Sequence, residues 1–481
     1  MEKLLLYLVF LPIATGTLFL FFRSRMASYS ALFISIIEFV LTLVVFISYL
    51  RGSGQDFNVN IPWIKEWGIH LQLNLDGINV LFMLLAGIAV PLIMLAGWDK
   101  TYHNFGLMDG MVLILQGSLM GVFLSFNAFV YYIFWEMSLI PAYIILLIWG
   151  GEYRMRITLK FFIYTLGGSL IMLVALISLY LSTPGDHSFS HNAFCSLALD
   201  STRQAWLFMA FMLAFLIKTP VFPFHSWQPD TYTQAPSAGT LLLSGLMSKM
   251  GIFSMLRWLL PVLPLAVKHY APYVMGLAVF SILYASIIAL RQKNIKTLFA
   301  YSSIAHLSLV VAAIFTLTSL GIQGALIMTF SHGIVIIALF FVADIFKMRT
   351  DSQEITDMGG FRTKAPVFAG LYLVVLLASI GIPLTSGFPG ELLMITGLVK
   401  VNLGFAILAG LGIVIGVVYM LVSYRKTMLG QPVELPFSDL NYREKFVFAV
   451  MIGLIFLIGI FPALFLKTTE SSVNILVSLF I

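Results

Sequence analysis

Apolar residues occur along this chain in runs of about 20, the length that crosses a hydrocarbon core, separated by short polar connections. The runs lie near 3–22, 27–50, 78–97, 107–126, 128–149, 157–182 and 204–222, then 234–258, 272–290, 297–317, 321–346, 366–399, 403–424 and 446–466. They predict an all-α polytopic membrane protein with about fourteen transmembrane helices. Helix 7 is stopped by Pro220 and Pro223, which cannot donate to the Leu216 and Thr219 carbonyls. Helix 12 is overlong and interrupted by Pro383, Gly387, Pro389 and Gly390. Both are read as broken, and broken backbone at membrane depth is tolerated only beside protein or water.

Between the runs, Ile69 to Gly77 alternates apolar and polar residues and reads as a short strand ending in an Asp-Gly turn, part of an external hairpin within 51–77. The stretch 183–203, with Pro184 and Gly185, reads as a surface loop whose His187 and His191 are solvated and not metal ligands. Residues 1–22 lack a basic start and a small-residue cleavage site, so they are read as the first span. The tail after Phe461 is expected to leave no room for a long lateral helix.

Composition narrows the function. With 60% hydrophobic residues, 10% charged and a mean hydropathy of +1.00, the chain departs from soluble domains, whose apolar share is nearer 45–50%. A single cysteine, Cys195, excludes a disulfide framework and any multi-cysteine iron–sulfur or zinc site. No glycine-rich dinucleotide fingerprint follows a strand, so no redox centre, cofactor or metal site is expected on this chain. The net charge of +6 is scattered over short connections and implies no nucleic acid. Numbered from the N-terminus, odd connections hold 17 of the 27 Lys and Arg, while even connections and the termini hold 8. That bias places odd connections, Lys100 among them, in the cytoplasm and both termini outside.

The remaining two basic residues, Lys218 and Lys249, lie inside apolar runs. A lysine at mid-bilayer costs roughly 2.5 to 3.5 kcal/mol, which makes each a functional candidate. Glu136 in VYYIFWEMSLIPAY is the only carboxylate of its span, and Lys218 is its natural partner. At about 4 Å and an effective dielectric of 20 such a pair gains about 4 kcal/mol. Burial favours the neutral lysine and the partner favours the charged one, so a lysine between them can release a proton when the partner moves away. The bland reading, a static pair that fixes helix packing, is weaker because buried pairs seldom outperform apolar replacements. Lys249 is placed in the same relay, and Glu391 follows the broken segment GIPLTSGFPGE in a setting like that of Lys218. His306 and His332 lie within apolar spans and titrate near neutrality, as proton shuttles require. His225, between Pro223 and Trp227, is placed at a channel mouth, whereas Asp109 and Asp344 lie toward span ends and are read as solvated. The spacings Glu136 to Lys218 and His306 to Glu391 are 82 and 85 residues, each closing on a broken helix, which hints at the paired halves of an inverted-repeat transporter.

FWEMSLIP, KTPVFPFHSWQPDTYTQAPSAGTLLLSGLMSKMG, NIKTLFAYSSIAHLS, SHGIVIIALFF, DMGG and GIPLTSGFPGE resemble the successive signatures of the antiporter-like subunits of respiratory complex I and of the related multisubunit cation/proton antiporters. The match runs over nearly the whole chain. It implies two inverted five-helix repeats, with helices 1–3 and the hairpin in 1–106, helices 4–8 in 107–260, helices 9–13 in 261–425 and helix 14 in 426–481. It also carries a proton-path role to Glu136, Lys218, Lys249 and Glu391. A glutamate at 391 resembles the M-type branch, since the L- and N-type siblings usually place lysine there, and the lack of a long C-terminal extension also argues against L. Gln228, Tyr232 and Asn294 depart from the family pattern of leucine, histidine and aspartate. The function implied is proton translocation in the bacterial cytoplasmic membrane, driven by electron transfer from NADH to quinone. NADH, FMN, iron–sulfur clusters and quinone are then expected on partner subunits, with sibling antiporter-like and other membrane subunits as neighbours. The rival readings are a subunit of a sodium/proton antiporter and a scaffold whose charges only lock helices.

Overall fold

The computed structural model describes residues 2–52, 57–99 and 102–481, so Lys100 lies outside the described residues. Helix occupies each of the expected apolar runs, because in hydrocarbon the backbone must satisfy its own hydrogen bonds. The N-terminal part contains α1 (Glu2–Phe19), α2 (Met26–Leu50), the strands β1 (Asn58–Ile64) and β2 (Ile69–Asn74), α3 (Val80–Ala96) and α4 (Phe105–Leu124). Then come α5 (Ala128–Trp149), α6 (Arg154–Ser182), the short α7 (His191–Cys195), α8 (Ser201–Lys218), α9 (Trp227–Gln234) and α10 (Ser237–Leu259). The remainder is α11 (Pro264–Ala289), α12 (Ile295–Ile314), α13 (Ser319–Thr350), α14 (Pro366–Ser379), α15 (Gly387–Val401), α16 (Leu403–Leu429), α17 (Tyr442–Ile460) and α18 (Pro462–Ser478). Among the described residues nine helices are long and apolar enough to cross a membrane, or ten with the bent pair α17–α18.

Side chains mark the helix starts. Asn127, Asp200, Asn294, Thr318 and Asn402 each accept from backbone N–H groups of the first turn of α5, α8, α12, α13 and α16. Asn441 and Glu444 form a reciprocal capping box on α17.

The centre of the bundle is built from α10 and α13, whose apolar windows are wholly buried. They approach closely at Gly245, where a Cβ would lie 2.5 Å from Ile337, and Gly333 of α13 takes Leu85 of α3. By contrast, only about a third of the α2, α6 and α16 windows is buried, so these helices line the outside.

Several expectations are corrected. The hairpin pairs antiparallel with Asn58 opposite Asn74 and Ile61 opposite Leu71, but it turns at Lys65–Gly68, where Gly68 has φ +60°. The expected Asp-Gly turn does follow β2, the Asp76 carboxylate taking the Ile78 and Asn79 N–H groups and two bonds from Arg257. His191 is buried instead of solvated, its Nε2–H donating to the Arg257 carbonyl at 2.8 Å between the Phe126 and Trp258 rings. His187 is half-buried, with Nδ1 on the Thr183 carbonyl. Beyond Phe461 the chain forms the 17-residue α18, bent 66° from α17 where Pro462 cannot continue the preceding hydrogen-bond ladder.

Candidate functional site

α8 ends at Lys218, where Pro220 and Pro223 follow. Lys218 is 2% exposed, and its ammonium makes no hydrogen bond and lies 5.1 Å from the centre of the Trp135 ring. Glu136, the next residue on α5, is half-buried, its Oε1 meets no hydrogen-bond donor, and it acts electrostatically on Lys218. The expected contact at about 4 Å is therefore not closed. The indole stands where the lysine reaches, holding the cation by its π face.

Lys249 lies fully buried in α10, between two π-helical turns, Leu243–Met247 and Met255–Leu259. The first diverts the Ser248 N–H to the Leu243 carbonyl at 3.2 Å, and the Lys249 ammonium donates to the Ser244 carbonyl at 2.5 Å and the Ser248 hydroxyl at 3.3 Å. Such bulges inside α-helices concentrate at functional sites. His332 on α13 is within electrostatic reach of Lys249, and neither ring nitrogen has a partner. Its ring centre lies 5.8 Å from that of His306 on α12. His306 Nδ1–H donates to the Ser302 carbonyl at 2.9 Å, which leaves Nε2 facing Glu391 at 3.5 Å. The break between α14 and α15 positions Glu391, whose carboxylate folds over Gly381, a residue at φ +65°. Water-sized cavities of about 20 and 10 Å³ flank His306, the first lined by Ser379 and Tyr419 and the second by Ser331 and His332. A cavity needs about 10–15 Å³ to hold one water.

The sequence reading missed an ion pair. Asp344, read as solvated, is 1% exposed and lies 3.4 Å from Lys296, itself buried at the start of α12. Ser237 also donates to Asp344, and Lys296 reaches the Ala235 carbonyl and the Thr240 hydroxyl at 3.4 and 3.3 Å. The pair therefore sits at the start of the helix that carries Lys249. Asp109 is half-buried and accepts from Ser28 at 2.5 Å. His225 is not at an open mouth: it is 5% exposed, against the rings of Phe222, Tyr284 and Tyr301, with Nδ1 unpartnered. Arg257, counted as an external charge, is buried on Asp76. Without Lys296 and Arg257 the charge bias is sixteen to seven and keeps its direction.

The arrangement is a series of buried and half-buried ionisable groups on six helices. A family model described as NADH:quinone oxidoreductase/Mrp antiporter, TM, matches residues 125–416, which contain every group in that series. The chain belongs to this family of membrane subunits. Over 480 residues it is 37% identical to NADH-quinone oxidoreductase subunit M of Rickettsia prowazekii, covering 97% of each chain. A chain of respiratory complex I from Thermus thermophilus with bound NADH superposes with a TM-score of 0.93 at 29% identity, over 99% of both chains. A chain of the Mrp complex from Dietzia sp. DQ12-45-1b superposes at 0.89 with 16% identity, over 99% of this chain and 97% of that one. That last likeness shows a shared fold alone.

Proposed function

We propose that this chain is the proton-translocating M subunit of a bacterial NADH–quinone oxidoreductase, moving protons through Glu136, Lys218, Lys249, His332, His306 and Glu391. The observation that carries the reading is the bridge at its centre, where Lys249, His332, His306 and Glu391 from four helices come within reach of one another around water-sized cavities. Lysine, histidine and carboxylate each hold or release one proton with no other bond changed. A charge arriving on one group alters the proton affinity of the next, so the series passes protons stepwise. Lys218, held on the Trp135 face and not on Glu136, is the group that a movement of Glu136 would load or unload. His225 and the Lys296–Asp344 pair flank the line on the side of the α8–α9 break.

In this reading about fourteen helices span the cytoplasmic membrane, and 107–260 and 261–425 are inverted repeats with breaks after α8 and between α14 and α15. Residues 1–106 and 426–481 flank them. Both termini face outward. NADH, FMN, iron–sulfur clusters and quinone belong to partner subunits, and this chain supplies no redox centre. Its outer helices α2, α6 and α16 supply the apolar faces for sibling subunits and lipid.

The test is Glu136→Gln in the assembled complex, which keeps volume and removes the charge. NADH-driven proton uptake in sealed vesicles is expected to fall about a hundredfold or more, the low end of losses when a positioned proton-transfer group is removed. Uptake at the wild-type rate would take Glu136 off the path. Proton movement that needs a sodium gradient and no NADH would instead assign the chain to a sodium/proton antiporter.

A further inference from the structure

Among the described residues, the interior series leaves unused a deeply buried acid with no ion-pair partner. Glu38, in the middle of α2, is 0% exposed, and neither carboxyl oxygen meets a hydrogen-bond donor. An unpartnered acid among apolar side chains is kept neutral by a bound proton, since its ionised form would be uncompensated. Intramembrane ionisable residues are expensive and mark ion pathways.

Glu38 also lies on a stripe. Ser28, Ser35, Glu38 and Thr42 are the polar members of the buried face of α2, at helical spacing with Ala31 and Val45. Tyr49, seven residues past Thr42, continues the same face. From 28 to 49 the helix rises about 31 Å at 1.5 Å per residue, close to the roughly 30 Å of a hydrocarbon core.

Each end of the stripe opens on a cavity. At one end, Ser28 and Asp109 line a cavity of about 30 Å³ with Arg25, Trp98 and Tyr102. The Tyr102 hydroxyl is buried without a hydrogen-bond partner. At the other, Tyr49 lines an open cavity of about 710 Å³ with Asn74, Asp76, Lys467 and Thr468, and its hydroxyl donates to the Thr468 carbonyl at 3.3 Å. Between them, Thr42 donates to the Glu38 carbonyl at 2.8 Å and rests on Gly87 of α3. The neighbouring Ala86 carbonyl takes the Gln116 amide of α4 at 3.4 Å, and Gln116 Oε1 is buried with no donor.

We propose that α2 carries a second proton route, with Glu38 as its central carrier, running beside α3 and α4 from the Asp109 cavity to the Tyr49 cavity. It lies apart from the series of Glu136 to Glu391. Neutral Glu38 is the resting carrier, and each proton it gives up toward Tyr49 is replaced by one delivered through water from the Asp109 side. The anion exists only between release and uptake, and no other bond changes. The seven-residue steps on either side, each about 10 Å, are bridged by water. The Ser35 and Thr42 hydroxyls and Gln116 Oε1 are the fixed dipoles along which it orders.

This inference rests on the reading that the chain translocates protons, and the experiment separates the two. Protons moved per NADH are measured in sealed vesicles for the wild-type complex and for Glu38→Gln, Glu38→Asp and Glu136→Gln. Infrared difference spectra under turnover are recorded in parallel. Glu38→Gln is expected to lower the yield at least twofold and Glu38→Asp to restore more than half of the loss. A protonated-carboxyl band that responds to turnover should vanish in the Gln variant and shift in the Asp variant. A merely structural acid would leave that band silent. Wild-type yield in Glu38→Gln, with Glu136→Gln impaired, overturns the α2 route alone; wild-type yield in both overturns the translocation reading. Should the Gln variant not assemble, an unshifted band in Glu38→Asp overturns the route.

Discussion

Glu391 reaches His306 because Gly381 leaves it room. A Cβ at 381 would lie 2.1 Å from Glu391 Oε2, and the residue has φ +65°. Alanine there costs about 1–2 kcal/mol in left-handed backbone and also expels the carboxylate. Gly381→Ala is therefore expected to lower proton translocation to the level of Glu391→Ala, with a lower thermal midpoint that Glu391→Ala does not share. Asp76 offers a test outside the bilayer interior. Burial pushes its carboxyl up, but the Arg257 guanidinium and the Asn79 and Ile78 N–H groups outweigh burial and hold it below the usual range. Such an acid contributes stability that is present above its unfolded value near 3.9 and is lost as pH falls through its lower folded value. Asp76→Asn leaves a buried guanidinium unpaired and is expected to cost about 3 kcal/mol near neutrality. Thermal midpoints from pH 7 to 3 should show the gap between variant and wild type narrowing below about pH 4; a gap that widens would refute the assignment.

Proline made two of the decisive breaks legible in the sequence, since a missing N–H at 220 or 383 acts within one turn of its own helix. Lys218, Lys249, Glu136 and Glu391 were legible for a related reason: each is a charge inside an apolar run. What depends on contact between helices was not. Asp344 and Lys296 lie near run ends and read as solvated, yet α13 continues to Thr350 and the start of α17 packs on its end, with Arg349 on Glu444 at 2.6 Å. The stripe of Ser28, Ser35, Glu38 and Thr42 passes as an ordinary apolar run because average hydropathy does not say which face is covered. The π turns around Lys249 have no sequence signature, but glycine contacts show how closely the segment between them packs on the end of α8. A Cβ on Gly251 would sit 2.1 Å from Thr219 Oγ1 and 2.7 Å from the Phe215 carbonyl. Gly251→Ala must therefore push α10 off the end of α8, changing the separation of Lys249 from Lys218. Overpacking of this kind costs roughly 1–3 kcal/mol. The expected outcome is a lower thermal midpoint and at least a threefold loss of NADH-driven translocation, and full activity would show that the spacing of α8 and α10 does not matter to the relay.

The proposed direction of the whole molecule in the membrane rests on the surviving bias of basic residues, and it can be tested chemically at two points. Cys195 ends α7 in an even-numbered connection, on the side assigned to the outside, and Tyr442 begins α17 beside Arg443 and Lys445, on the side assigned to the cytoplasm. Cys195 has exposed surface, but its sulfur faces the His191 ring at 3.7–3.8 Å. Burial pushes its thiol up to about 11, the nearby Arg257 opposing it only in part. Since the thiolate is the reactive form, labelling of Cys195 should be slow at pH 7 and accelerate about tenfold per pH unit up to pH 9. Tyr442 is 92% exposed, so Tyr442→Cys in a Cys195→Ser background should carry a thiol near the ordinary value of about 8.5 and react readily at neutral pH. A membrane-impermeant maleimide added to spheroplasts is expected to reach Cys195 and to leave position 442 unlabelled until the membrane is opened. The reverse order would turn the molecule over, and with it the side from which protons enter the Asp109 cavity and the Lys296–Asp344 pair.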